Sequence, residues 1–265
     1  MFRIILKAPN SLKGIFFDDF SYNWSNISNI SSLVKNMFHD YPNYIYYNDE
    51  VPHHNIGSNY AHAKGVLSWN NYTISWLIHS YPNWPMETLD FPTTKFGQSF
   101  IHLTLPIALL SKVLAHLKLM NVYVYKSTFD LSKLIISDIN IDSIQLFEEE
   151  SIYHIAKNAK WDKDIFDDYL VSLFGCNIFC ESWSRPTSKD TEHVDNVTVI
   201  QWPNGIRYNE TQDHSKYAFS INSYNPWVYI GDLNHTTSQS HRGGGGVLIK
   251  HPLLWDAFYK LVYKD

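Results

Sequence analysis

Two stretches of this chain repeat one layout, and that repetition limits its folding options more than any other feature. HAKGVLSWNNYTISWLIHSYPN (62–83) and HSKYAFSINSYNPWVYIGDLNH (214–235) each open on His-x-Lys and cross a polar turn. Each then carries a tryptophan, Trp76 or Trp227, into a second apolar run and ends in polar residues. Short apolar runs bounded by Asn, Ser and Pro read as β-strands. Two such units 152 residues apart predict a pseudo-twofold arrangement of two fused halves, about 1–125 and 126–265, within a single domain.

The remaining pattern alternates strands with helices. Strands are expected around Ile4–Leu6 and at 98–105, 177–183, 197–202, 216–221 and 226–232. Helices are expected at 106–120, opened by a proline, at 147–159, at 162–174 and from Pro252 to Val262. The stretch between the first strand and residue 60 reads as loop-rich, and Glu148-Glu149-Glu150 as the acidic first turn of a helix. Mixed elements of this kind predict a layered α/β or α+β fold. A hydrophobic content of 45% supports a sizeable core, in which Trp69, Trp76, Trp227 and Trp255 are placed.

Composition removes several function classes. The two cysteines, Cys176 and Cys180, exclude a disulfide framework and a cysteine-built zinc site. On a strand they lie too far apart to bridge, so two free thiols are expected. No apolar run approaches the roughly 20 residues that cross a bilayer, so membrane insertion is not expected. The opening MFRIILKAPN has too short an apolar run for a signal-peptide core and reads as a first strand. His53-His54 has no further ligand at metal spacing and reads as a solvated loop, and no metal or other cofactor is expected. A net charge of −5 argues against a polyanionic partner at neutral pH, but protonating all 13 histidines would move it to +8. Affinity for nucleic acid would then be an acid-dependent property.

Composition alone yields about one His-x-Lys triplet, whereas three occur: His62/Lys64, His116/Lys118 and His214/Lys216. The middle one sits in a helical pattern, where i and i+2 diverge by about 200° and share no target. On strands, i and i+2 point to one face. Two imidazole–ammonium pairs related by a dyad would therefore converge on one tetrahedral group. Phosphodiester cleavage asks for that set: a neutral imidazole to attack, an imidazolium to protonate the leaving oxygen, and lysines to offset charge. Arg242 with the bare backbone of Gly243 and Gly244 is a further candidate for holding phosphate, or else a tight turn.

Several segments resemble the deoxyribonuclease II family, in order along nearly the whole chain. They are HAKGV (62–66) with WLIHSYPNWP (76–85), FGQSF (96–100), DHSKY (213–217) and VYIGDLNHTTSQSHRGGGGVLIKHPLLWDAF (228–258). The resemblance implies a phospholipase D-like fold of two side-by-side halves, each a central sheet flanked by helices, with the catalytic pair between them. It implies endonucleolytic cleavage of DNA, duplex included, at acidic pH without a divalent ion, leaving 3′-phosphates. By position, His62, Lys64, His214 and Lys216 are the catalytic elements, His79 a further active-site histidine, and Asp232 and Asn234 a supporting polar pair. Either histidine can be the nucleophile at this stage, and a monomer and a homodimer are equally open. The family points to an acidic compartment or secretion, although no signal peptide is visible. A phosphodiesterase of the same fold acting on RNA, a cyclic dinucleotide or a lipid headgroup, or a non-catalytic DNA-binding protein, are the competing readings.

Overall fold

A computed structural model describes residues 1–37, 41–51, 56–85, 91, 95–147, 149–183 and 191–262. The chain opens with strands β1 (Phe2–Lys7), β2 (Gly14–Asp18) and β3 (Ser25–Ile27), then helix α1 (Ile30–Lys35) and strand β4 (Asn43–Asn48). Strands β5 (Lys64–Trp69), β6 (Thr73–His79) and β7 (Gln98–Pro106) lead into helix α2 (Leu110–Met120). Strands β8 (Val124–Ser127), β9 (Ile141–Gln145) and β10 (Ile152–Lys157) precede a π turn at Phe166–Leu170 that runs on as helix α3 (Val171–Phe174). Strands β11 (Ile178–Glu181), β12 (Val194–Asn196), β13 (Val199–Gln201), β14 (Arg207–Asn209), β15 (Tyr217–Ser220) and β16 (Trp227–Gly231) follow. Helix α4 (Thr237–Ser240), strand β17 (Gly244–Lys250) and helix α5 (Pro252–Tyr259) close the described fold.

The strands form two large sheets, ordered β3-β2-β1-β7-β6-β5-β4-β8 and β12-β11-β15-β16-β17-β10-β9. The run β1-β7-β6-β5-β4 in one matches β10-β17-β16-β15-β11 in the other, strand for strand in chain order. In each sheet the last of these strands, β7 or β17, leads into a helix, α2 or α5. The register agrees in detail: Gly65 faces Ile78 and Ile78 faces Ile101, while Tyr217 faces Ile230 and Ile230 faces Val247. Lys7 opposite Gln98 thus corresponds to Lys157 opposite Gly244. Both lysines are fully buried and offset that cost by donating to two backbone carbonyls each. Lys7 reaches Ala8 and Ser11 at 2.6 and 3.0 Å, and Lys157 reaches Ser240 and Arg242 at 2.8 and 2.7 Å.

One apolar core joins the sheets. Ile4, Leu67, Trp76 and Ile101 pack in the same cluster as Ile152, Phe219, Val228, Val247 and Phe258. All four tryptophans assigned to the interior are buried. α2 buries His116 against β10, its Nδ1 2.8 Å from Nδ1 of His154, while Lys118 turns to the Ser132 carbonyl at 3.2 Å. The middle His-x-Lys pair therefore diverges, as helix geometry requires. Cys176 and Cys180 are free thiols.

The expectations fail in three places. Residues 147–159 are not a helix: Ile152–Lys157 is a strand between β9 and β17. Ile155, Ala156 and Lys157 face Gly246, Gly245 and Gly244, Ile152 and Tyr153 face Ile249 and Leu248, and β9 pairs on the other side, so tertiary partners decide its conformation. Glu149 and Glu150 precede this strand rather than open a helix, and Glu148 lies outside the described residues. The glycine tract is not a turn: Gly243 leads into β17 and Gly244–Gly246 form its first three residues. The loop-rich reading of the stretch up to residue 60 misses β2, β3, α1 and β4, which lie within it. Their hydrophobic alternation is short and interrupted by Asn and Ser, which hid it.

Candidate active site

β4 ends at Asn48, and Asp49 follows, its side chain only 4% exposed. Its Oδ2 lies 2.7 Å from Nδ1 of His62 and 2.9 Å from the NH2 group of Arg242, and its Oδ1 lies 2.6 Å from Lys64 Nζ. Lys64 Nζ also meets Glu50 Oε2 at 3.0 Å. Burial alone would raise the Asp49 carboxyl, but Lys64 and His62 outweigh it and hold it well below the usual range. Burial and the neighbouring Lys64 charge, resisted by Asp49, bring His62 down to about 4. At mildly acidic pH the ring is neutral. An aspartate at Nδ1 makes that nitrogen the N–H donor and leaves Nε2 with the lone pair.

The two sheets exchange backbone bonds at the histidines. The His62 amide donates to the Gly243 carbonyl at 2.9 Å, and the His214 amide donates to the Gly97 carbonyl at 3.0 Å. Gly97 immediately precedes β7 and Gly243 immediately precedes β17, so the two links occupy corresponding places. Neither position tolerates a side chain: a Cβ on Gly243 would run into the Met120 carbonyl, and one on Gly97 into the Asp213 carboxylate. Lys216 donates its amide to Ser99 Oγ at 3.2 Å and its ammonium to the His214 carbonyl at 2.7 Å. Burial and the Lys64 ammonium lower Lys216 to about 8, and the Lys216 charge in turn helps to lower His62. Charges from both sheets thus act in one place.

The His214 ring is held differently from that of His62. Phe96 stacks on it at 4.1 Å between centroids and 10° between planes, and Trp183 meets it edge-on at 3.9 Å and 84°.

The other residues expected at the site fall around this centre. His79 is 2% exposed, wedged against Trp84 and Phe100, with its Nδ1 accepting the Tyr81 amide at 3.2 Å. Burial and the Lys64 charge push it well below the ordinary histidine range, so it is a neutral ring behind Lys64. Asp232 is buried and its amide donates to the Gly245 carbonyl at 2.9 Å. Burial, resisted by Lys64, lifts its carboxyl to about 8. Asn234 accepts the Trp183 amide on Oδ1 at 3.2 Å. Arg242 spends its guanidinium on Asp49 and on the carbonyls of Tyr60 and Ala61, with NH1 also 3.3 Å from His62 Nδ1, rather than facing open space. Gly243 supplies its carbonyl to His62, and Gly244 is buried against Leu233. His53 and His54 lie outside the described residues.

Asp49, Glu50 and Trp183 are not identifiable from sequence. Their approach to the histidines depends on strand register, and no fixed spacing links them to either His-x-Lys. Among the described residues, Asp164, Asp167 and His235 bring potential ligand atoms within 4.8 Å of one another. Asp164 Oδ1 already accepts the amides of Phe166 and Asp167, and His235 Nε2 meets Asp167 Oδ2 at 3.0 Å. These bonds account for the cluster as the anchor of the 232–236 segment on the π turn.

Comparison with known proteins defines the class. Residues 18–264 match the family model for deoxyribonuclease II. Mouse deoxyribonuclease-2-beta is 30% identical over 245 residues, a span covering 82% of this chain and 69% of that protein. Deoxyribonuclease-2-alpha of Sus scrofa is 28% identical, over 96% of this chain and 81% of its own length. A putative deoxyribonuclease-2 of Burkholderia thailandensis is 30% identical, over 82% and 70%. The class is that of a hydrolase, a nuclease. The chain belongs to the deoxyribonuclease II family.

Proposed function

We propose that this chain is an endonuclease that cuts duplex DNA in acid, without a divalent ion, through His62 and His214, and leaves 3′-phosphate ends. The observation that carries this reading is the reciprocal pair of backbone links, His62 to Gly243 and His214 to Gly97. These links, with the mutual charge effects of Lys64, Lys216 and His62, support a shared centre for the two His-x-Lys elements, one from each sheet. The two sheets of matching strand order are, in this reading, the fused halves of a phospholipase D-like fold, about 1–125 and 126–265.

His62 attacks phosphorus with the Nε2 lone pair, while Asp49 keeps the proton on Nδ1. The P–O5′ bond breaks and O5′ takes a proton from the His214 imidazolium. Neutral His214 then accepts a proton from water, which attacks phosphorus, breaks the P–N bond and frees His62 with the 3′-phosphate. Lys64 and Lys216 offset charge on the non-bridging oxygens. Asp49 and Glu50 are already committed to Lys64, with His62 and Arg242 also on Asp49, which favours compensation by side-chain cations over an ion held by these carboxylates. Arg242 acts through Asp49.

Two charge states favour acid. Below about pH 8 Asp232 is a neutral acid and Lys216 is charged, and both reverse above that pH. Rising pH thus adds an anion and removes a cation where a polyanion must bind.

Nicking of supercoiled plasmid across pH 4–9, with and without EDTA, tests the proposal. Wild-type nicking should persist in EDTA, peak in acid and fade toward pH 8. His62→Ala and His214→Ala should each lose at least about 10³-fold. Near-wild-type nicking by either variant contradicts it. End analysis should find 3′ termini that block polymerase extension until phosphatase is added.

A further inference from the structure

We infer that Trp183, backed by Phe96, is a positioning residue for His214 and does for the proton donor what Asp49, backed by Arg242, does for the nucleophile. The inference rests on the two-histidine reading and deepens it.

The correspondence is topological. Tyr47 faces Gly65 where β4 meets β5, and Glu181 faces Tyr217 where β11 meets β15. Gly65 and Tyr217 each directly follow the lysine of a His-x-Lys. Two residues beyond Tyr47 is Asp49, and two beyond Glu181 is Trp183. Likewise, Arg242 precedes Gly243, whose carbonyl holds the His62 amide, and Phe96 precedes Gly97, whose carbonyl holds the His214 amide. The same two structural positions therefore carry an ion pair around one histidine and an aromatic pair around the other. Arg242 NH2 meets Asp49 Oδ2 at 2.9 Å, and the Phe96 and Trp183 rings meet edge-to-face at 4.8 Å.

The two clamps fit different chemistry. A carboxylate on Nδ1 fixes one tautomer and directs a lone pair outward. Aromatic π surface grips a ring without consuming its nitrogens and attracts a cation, so it favours an imidazolium over a neutral imidazole. The clamp is itself anchored: Asn234 Oδ1 accepts the Trp183 amide at 3.2 Å, and Ser182 Oγ accepts that of His235 at 3.0 Å. Among the described residues, the charged groups near it include Lys216, 2.7 Å from the His214 carbonyl, Lys95, 5.6 Å over the Phe96 ring, the adjacent Asp213, whose Oδ1 holds the Ser215 amide at 2.9 Å, and Glu181, two residues before Trp183, whose carboxyl burial and Asp213 raise well above the ordinary range. Asp213 itself is raised by burial, so it stabilises the imidazolium less than an ordinary aspartate would and leaves more of that task to the aromatic clamp.

A leaving-group comparison on the full chain tests this. Trp183→Ala, Trp183→Phe and Phe96→Leu are assayed on an oligonucleotide duplex with a normal P–O5′ bond and on one with a bridging 5′ sulfur. The thiolate departs without a proton. Trp183→Ala should lower kcat about 10- to 100-fold on the oxygen substrate, shift its pH profile, and change the sulfur rate by less than about threefold. Trp183→Phe should recover most of the loss, and Phe96→Leu should repeat the pattern more weakly. Thermal melting reports folding, and if Trp183→Ala does not fold, Phe96→Leu makes the same comparison. Equal losses on both substrates, no loss, or a raised KM at unchanged kcat would overturn the inference, the last marking Trp183 as a base platform. Failure of the parent reading looks different, as His62→Ala and His214→Ala would then keep their activity.

Discussion

Arg242, from the segment leading into β17, reaches Asp49 at the end of β4, with NH2 2.9 Å from Oδ2. The carboxylate that orients His62 is therefore held by both sheets, since Lys64 grips its other oxygen at 2.6 Å. Asp49→Asn removes the anion while nearly keeping the shape. It should lower kcat about 10²-fold or more with little change in KM, because the ring loses its fixed tautomer. Steady-state cleavage of a labelled duplex reads this directly, and activity within threefold of wild type would show that Asp49 is a bystander.

Arg242→Lys isolates the guanidinium. A lysine offers one point charge where Arg242 spans Asp49 and the carbonyls of Tyr60 and Ala61. The expected loss in kcat is about 10-fold, less than for Asp49→Asn because Lys64 still holds the carboxylate. Combining the two substitutions should cost little more than Asp49→Asn alone, a non-additivity that a double-mutant cycle measures.

Asp232 gives stability a defined pH dependence. Its carboxyl rises from an ordinary 3.8 to about 8 on folding, so across that interval the folded state keeps a proton that the unfolded state has released. The associated stability is complete below about pH 4 and is lost as pH rises through 8. His62, lowered to about 4 from 6.5, acts oppositely: stability is lost as pH falls from 6.5 toward 4. Between pH 6.5 and 8 the His62 contribution is constant. Wild-type Tm should fall over that window and Asp232→Asn should flatten the fall, with Glu181, also raised by burial, leaving a residual slope. Parallel melting curves for the two proteins would rule Asp232 out as the source.

Gly243→Ala tests the close approach of the two sheets. The added methyl meets the Met120 carbonyl, so α2 or β17 must shift. The expected destabilisation is about 1–3 kcal/mol. That corresponds to a Tm about 2–10 °C lower. Nicking should fall as well, because the His62 amide bonds to this residue. An unchanged Tm would mean that the segment has room the structure does not show.

Much of this site was legible in residue order. Equal spacing to lysine marked both His-x-Lys elements, but the strands open later than expected, β5 at Lys64 and β15 at Tyr217, so both histidines precede their strands, while the repeated layout anticipated two sheets of one strand order. The helix expected at 106–120 was readable from its apolar period, although Pro106 closes β7 and α2 itself begins only at Leu110. What failed depended on partners far away in sequence. β10 is a strand because β17 and β9 pair with it on either side, and Asp49 meets His62 because β4 pairs with β5 in one register. Neither relation leaves a spacing to count. The glycine tract was misread for a related reason: its residues are small to admit neighbouring backbone and rings, a demand set wholly by tertiary packing.

The central claim is a covalent bond between phosphorus and one particular imidazole. Wild-type protein mixed with duplex DNA in acid, quenched in alkali within milliseconds, digested and mapped by mass spectrometry should carry a nucleotide 3′-phosphoryl adduct on His62. Neither His214 nor His79 should carry one. An adduct on His214 would reverse the two roles, and turnover with no histidine adduct at any quench time would contradict the mechanism.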